Sequence, residues 1–339
     1  MMTKKTLHPE EIKKKKILFV IGSLRTGGAE NHVASVSSGL KKRGWKVDIF
    51  LLSPYVEVSG AFLDQETRIF FLPKILNENL IYRNLLFFRF FVISLYSIYL
   101  FWIILTRRYF CVHTFLPHAY VVGGLVSIFC RVPIKIMSRR SLRDYQKKHR
   151  VLAMFEKYLH NYMSLVLGNS KAVVNELKKE RIPSEKIRLL YNGVNVSFFE
   201  NKKDKKICKK KLGLSEDTYV LVIVANLIFY KGHQDLFDAL AKINSELHDW
   251  KLFVVGTGHD VKANLKKKAL SLELQDNIIF VGKCVDVRKF LFASDVGLLT
   301  SHEEGFSNSI LEYMAASLPV VATDVGGNRE AIGSEEIGL

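Results

Sequence analysis

Short runs of β-branched and aliphatic residues alternate along this chain with longer stretches of helical spacing. Residues 17–21 are wholly apolar and lead through a glycine turn into a helix-like stretch, 29–43. Residues 46–52, 68–72, a long apolar stretch, 109–114, a helix over about 119–130, and 134–137 continue the series. Strands that lack polar alternation are buried on both faces, so the pattern predicts parallel sheet covered by helices. The series then restarts. Asn192-Gly193 is a turn signal, and 201–211 is a lysine-rich stretch unsuited to a core. Beyond it 219–225, 250–255, 278–281, 296–300 and 319–322 are strands of the same kind, with helices between. This gives two α/β domains, 1–195 and 217–339, joined by a linker over 196–216. Open parallel sheets bind ligands where strand ends meet helix starts, so two such domains facing each other would form a cleft lined by helix N-termini.

One stretch raises a membrane question. Residues 85–105 form an apolar run of 21 residues with a single charge, Arg89. Length and hydropathy allow a spanning helix of about 20 residues. The competing reading is a helix packed into the first domain with one face at a lipid surface. Its wealth of Phe, Tyr and Trp favours the second reading, because amphipathic aromatics sit well at an interface.

Composition is that of a globular protein: 339 residues, 48% apolar and 24% charged. The net charge of +17 is unevenly placed. Residues 1–170 carry 26 Lys+Arg against 10 Asp+Glu, whereas 171–339 carry 24 against 23. A basic half points to an anionic partner, acidic lipid or nucleic acid. Nucleic acid is disfavoured, because the aromatics lie in apolar runs and do not alternate with basic residues as a stacking platform would. The four cysteines (Cys111, Cys130, Cys208 and Cys284) are isolated and make neither a disulfide framework nor a zinc site. The start is polar and ends in four lysines, Lys13 to Lys16, without the longer apolar stretch of a secretory signal. A cytoplasmic location is expected.

The candidate chemistry sits at strand ends. Gly22 to Glu30 contains Gly27-Gly28 and opens a helix, where backbone amides can approach an anion. The same glycines also suit a plain turn. Asn226 to Gly232 follows a buried strand and offers Lys231, which can serve a phosphate or merely be solvated. Glu304 and Glu312 are eight residues apart and would not share a tight face of one helix. Gly305 instead suggests that Glu304 lies in the loop after a strand and that a helix begins near 307–309. Both carboxylates would then border one pocket above a helix N-terminus, accepting hydrogen bonds from sugar hydroxyls. Glu312 taken alone reads equally well as a surface glutamate.

The block from Ser301 to Ile332, S-H-E-E-G-F-S-N-S-I-L-E-Y-M-A-A-S-L-P-V-V-A-T-D-V-G-G-N-R-E-A-I, resembles the signature of the retaining glycosyltransferases of family 4. The likeness runs along nearly the whole chain. Gly27-Gly28-Ala29-Glu30, Asn169-Ser170, Tyr191 to Asn195, Val255 to Gly258 and Phe280-Val281-Gly282 are similar to that family's motifs, in the right order. The resemblance implies the GT-B fold, two Rossmann-like domains with the donor mainly in the second. It implies a retaining hexosyltransferase that needs neither cofactor nor metal, with a nucleotide-diphosphate sugar as donor. In that reading Glu304 holds the transferred sugar and Glu312 the ribose. Lys231 binds the diphosphate with amides of Gly27, Gly28, Gly305, Phe306, Ser307 and Asn308, and Gly256 and Gly282 border the base. Asn226 stands where the family usually has arginine. His113 and His118 flank the position of a second family histidine, and His118, after Pro117 at a helix start, is the candidate to polarise the reacting groups. Relatives continue through a further helix that crosses back to the first domain, so a fragment is expected.

These features together predict transfer to a glycan or lipid-linked acceptor in surface polysaccharide or glycolipid synthesis, by a protein peripheral to the inner face of the cell membrane. The rival readings are a GT-B sugar-nucleotide epimerase, a phosphorylase and a non-catalytic membrane-binding homologue.

Overall fold

The computed structural model describes residues 16–25, 27–56, 67–73, 86–200 and 204–333, and the chain divides into two units, 1–191 and 192–339. The polar start and the last six residues, on which the fragment expectation falls, lie outside the described residues.

The first unit contains a seven-stranded parallel sheet in the order β3-β2-β1-β4-β5-β6-β7. Its elements are β1 (Lys16–Ile21), α1 (Gly28–Lys42), β2 (Lys46–Leu51), β3 (Arg68–Phe70), α2 (Leu86–Arg107), β4 (Cys111–Phe115), α3 (Pro117–Phe129) and β5 (Ile134–Arg139). There follow α4 (Asp144–Lys148), α5 (Arg150–His160), β6 (Leu165–Gly168), α6 (Lys171–Lys179) and β7 (Ile187–Leu189). The strand alternation divides the core between the two sheet faces. Phe19 and Ile21 of β1 pack on Val33 and Ala34 of α1, whereas Leu18 and Val20 pack on α2 and α3. The long apolar helix is therefore part of the domain. Tyr96, Leu100, Ile103 and Ile104 of α2 are buried against that face, while Ile98, Trp102 and Leu105 are exposed. Among the described residues no helix is long and apolar enough to cross a membrane.

At the end of β5, Arg139 is almost wholly buried. Its guanidinium donates to Glu180 Oε1 at 2.6 Å and Oε2 at 3.0 Å, and to Glu156 Oε1 at 3.1 Å. Tyr145 donates its hydroxyl proton to Glu156 Oε2 at 2.6 Å, and His160 lies 3.6 Å from Glu180. A buried charge is tolerated only when it is paired and hydrogen-bonded. The cluster accordingly ties together β5, α4, α5 and the end of α6.

The second unit holds a five-stranded parallel sheet in the order β10-β9-β8-β11-β12. Its elements are α7 (Lys205–Lys211), β8 (Tyr219–Val224), α8 (His233–Ile243), β9 (Trp250–Val255), α9 (His259–Ser271) and β10 (Ile278–Gly282). The rest are α10 (Arg288–Leu291), β11 (Val296–Leu299), α11 (Asn308–Ala315), β12 (Val320–Ala322) and α12 (Asn328–Ile332). The expected linker differs from what is seen. Residues from 196 onward belong to the second unit, and Phe199 and Cys208 enter its core. Even Lys209 of the lysine-rich stretch is buried. Its ammonium donates to Thr218 O at 2.7 Å and pairs with Asp295 at 3.1 Å, so the charge is satisfied while the stem packs inside.

Replacing Arg139 by methionine would leave Glu156 and Glu180 buried without their cation. The expected cost to the first unit is roughly 3–5 kcal/mol, to be read as a lowered urea midpoint of its unfolding transition.

Candidate active site

Three loops at the carboxyl ends of β8, β11 and β12 build the site in the second unit. Gly232 ends the first loop in a left-handed conformation (φ 67°), and a Cβ there would stand 1.8 Å from the Thr300 carbonyl oxygen. Only glycine permits that approach. The Thr300 hydroxyl fixes it by donating to Gly232 O at 3.0 Å, and the His302 amide donates to Tyr230 O at 2.7 Å. The third loop braces the second in the same manner. A Cβ on Gly326 (φ 56°) would meet the Glu304 carbonyl oxygen at 1.7 Å, and the Thr323 hydroxyl donates to Ser301 O at 2.5 Å.

This bracing sets Lys231 against Glu304. Lys231 Nζ donates to Glu304 Oε1 at 2.5 Å, and Ser301 Oγ donates to the same oxygen at 2.7 Å. Both side chains of the ion pair are largely buried, at 17% and 10% exposure. Beside them His233, the first residue of α8, is buried, and desolvation followed by the Lys231 charge pushes its pKa down to about 4.

The expected helix start near 307–309 is seen: α11 begins at Asn308, capped by Ser307, whose side chain accepts from the Ile310 amide at 3.4 Å. Gly305, Phe306 and Ser307 are buried in the approach to that helix. Asn192 holds the approach in place by donating to Asn308 Oδ1 at 2.6 Å and to Phe306 O at 3.2 Å. Glu312 lies in the second turn of α11, and burial drives its carboxyl up to about 7. Glu312 and Glu304 both lie close enough to Tyr313 to raise its hydroxyl pKa, after the larger effect of burial. Tyr313 in turn donates to Leu298 O at 3.1 Å and accepts from the Val224 amide at 2.7 Å, linking α11 to β11 and β8.

The remaining candidates are placed by the same edges. Gly256 follows β9 and donates its amide to Gly282 O, at the end of β10, at 3.0 Å. Asn226 is exposed at the end of β8. Gly27, Gly28 and His118 belong to the first unit. Gly27 caps α1 after β1, and His118 stands exposed at the start of α3, after β4, the strand beside β1. His113 lies inside the sheet, hydrogen-bonded to Ser138 Oγ at 2.6 Å, with a pKa pushed to about 3 by burial and then by Arg140. Sequence reasoning missed Ser301 and His233. Ser301 opens the signature block and His233 lies two residues after Lys231, but their roles come from loop contacts that spacing does not reveal.

With this geometry in view, comparison with known proteins is decisive. Residues 26–198 match the family described as Glycosyltransferase Family 4, and residues 204–339 match Glycosyl transferases group 1. The chain belongs to Glycosyltransferase Family 4. It is 33% identical over 168 residues to the N-acetyl-alpha-D-glucosaminyl L-malate synthase of Bacillus anthracis, covering 50% of this chain and 43% of that protein. It is 25% identical to an Escherichia coli UDP-Gal:alpha-D-GlcNAc-diphosphoundecaprenol alpha-1,3-galactosyltransferase, covering 81% of this chain and 70% of that one. Several of the curated relatives are matched over only about half of their own length. Among solved structures, Anabaena Alr3699/HepE in complex with UDP and glucose superposes with a TM-score of 0.76 at 21% identity, covering 93% of this chain and 82% of that one. The architecture of this family member is the GT-B fold.

The buried carboxyl of Glu312 supplies a pH test. Its folded pKa is raised above the unfolded value near 4.5, so its contribution to stability is complete below that pH and is lost as pH rises through about 7. Glu312→Gln keeps the side chain neutral. Its Tm is expected to exceed that of wild type at pH 8, and the advantage should shrink towards pH 5.

Proposed function

We propose that the chain is a retaining glycosyltransferase that moves a hexose from a nucleotide-diphosphate sugar to a glycan or lipid-linked acceptor. The observation that carries the reading is the Lys231–Glu304 pair beside the N-terminus of α11, at the carboxyl edge of a parallel sheet. When the bond from the sugar to the diphosphate breaks, its electron pair stays on the phosphate oxygen. Charge therefore grows where an ammonium and helix amides can meet it, which stabilises the transition state more than the ground state. Glu304, freed from Lys231 by the diphosphate, accepts hydrogen bonds from the sugar hydroxyls, and Ser301 keeps its carboxylate oriented. Glu312 serves the ribose, Gly256 and Gly282 border the base, and His118 polarises the reacting groups.

No metal is needed in this scheme, because the cationic work falls to Lys231 and the helix N-terminus. The acceptor class is supported by relatives, which include a galactosyltransferase acting on a diphosphoundecaprenol-linked sugar and a lipopolysaccharide core mannosyltransferase. Surface polysaccharide or glycolipid synthesis in the cytoplasm, peripheral to the inner face of the membrane, is the setting that fits such an acceptor.

Transfer assays test the site. Lys231→Ala is expected to lower kcat by roughly 10²–10³-fold, the scale of losing one preorganised oxyanion donor. Glu304→Ala and His118→Ala should each reduce transfer as well. Wild-type rates in both Lys231→Ala and Glu304→Ala would refute the assignment. Full activity in EDTA and a product of unchanged anomeric configuration by NMR are the further outcomes expected.

A further inference from the structure

The peptide that joins Phe306 to Ser307 is held from far along the chain. Asn192, the first residue of the second unit, lies 114 positions before Phe306. Its side-chain amide nitrogen donates to two acceptors, Phe306 O at 3.2 Å and Asn308 Oδ1 at 2.6 Å. The segment around it is itself anchored in the second unit. Val194 packs on the core that contains Phe306 and Ile310, and Asn195 accepts from the Ser197 amide at 3.2 Å.

A trans peptide is planar, and its carbonyl and its N–H point in opposite directions. No peptide among the described residues is cis. Holding the Phe306 oxygen therefore also fixes the direction of the Ser307 N–H. That N–H has no hydrogen-bond partner among the described residues, although Ser307 is only 5% exposed. A buried amide proton normally finds an acceptor, in the protein or in what binds to it. The rest of the helix start is already committed. Ser307 Oγ accepts from the Ile310 amide, and Ser309 Oγ donates to Val224 O at 2.6 Å, which ties the first turn of α11 to the end of β8.

We propose that Asn192 is a positioning residue that aims the Ser307 amide at the diphosphate of the donor. The inference rests on the nucleotide-sugar reading above and adds the residue that sets the angle of one of its hydrogen-bond donors. Without Asn192 the peptide between 306 and 307 is free to rotate and to turn its carbonyl oxygen towards the phosphate, which repels it. The chemistry requires an amide. A carboxylate of the same shape has no proton to give and would face two oxygens, Phe306 O and Asn308 Oδ1.

The test is isothermal titration calorimetry of the full chain with UDP, GDP and ADP, and with the parent nucleoside of whichever binds. Wild type is expected to bind one of the diphosphates. Asn192→Asp should bind it about tenfold more weakly, the scale of losing two ordinary hydrogen bonds. The nucleoside has no phosphate for Ser307 to meet, so its affinity should be the same in wild type and variant. Equal affinity of both proteins for the diphosphate would overturn the proposal. A loss of the same factor for the nucleoside would make Asn192 a general brace of the pocket and would overturn it as well. Far-UV circular dichroism and the Tm without ligand report whether the variant is folded. Asn192→Ser, which adds no charge and keeps a hydroxyl donor, carries the test if Asn192→Asp is not. It should show a smaller loss for the diphosphate and none for the nucleoside. No binding of any diphosphate by wild type would overturn the donor reading itself, and this inference with it.

Discussion

The placement of Lys231 against Glu304 depends on backbone strands of chain passing closer than side chains allow. Gly232 lies under the Thr300 carbonyl and Gly326 under the Glu304 carbonyl, each in a left-handed conformation. An alanine at either position would meet a backbone oxygen at less than 2 Å in addition to the strain of its φ. The three loops are therefore held at separations that residues without a side chain make possible, and the hydroxyls of Thr300 and Thr323 secure them. Everything the site can do electrostatically follows from that spacing.

The pairing has two faces. An ammonium and a carboxylate in contact neutralise each other and keep the half-buried pocket tolerable in the absence of a ligand. In the proposed reaction a diphosphate would compete with Glu304 for the Lys231 ammonium. Ser301 donates a second hydrogen bond to the same Glu304 oxygen at 2.7 Å. Glu312 differs: it lies in the second turn of α11, and desolvation pushes its carboxyl pKa up to about 7. Two carboxyls beside one tyrosine are thus kept from repelling each other strongly, one through pairing and one through burial.

Much of this frame is legible in the sequence because parallel strands buried on both faces have a plain signature. Residues 46–52 and 250–255 nearly coincide with β2 and β9, and the register of Glu304 in a loop before α11 could be read from Gly305. The misses have physical causes. The lysine-rich stretch reads as solvent-facing, but Lys209 reaches backbone carbonyls and Asp295 from inside, an outcome that depends on residues far along the chain. Ser301 and His233 acquire their positions through loops that meet only in three dimensions. No periodicity records such meetings.

The region between β5 and β7 is the most instructive case. An amphipathic helix is read by assigning its apolar side to the core. Applied to α5, that rule buries Met154, Phe155 and Tyr158 and exposes Glu156 and His160, the reverse of what is found. The reversal follows from Arg139, which ends a buried strand and must find carboxylates inside the protein. Glu156 and Glu180 supply them, and α5 turns Glu156 and His160 inward beside the core residues Ala153 and Leu159. Met154, Phe155 and Tyr158 lie on the opposite, outward side. A basic, apolar surface is what that orientation leaves outside, so the interior electrostatics of the first unit bear on the character of its surface.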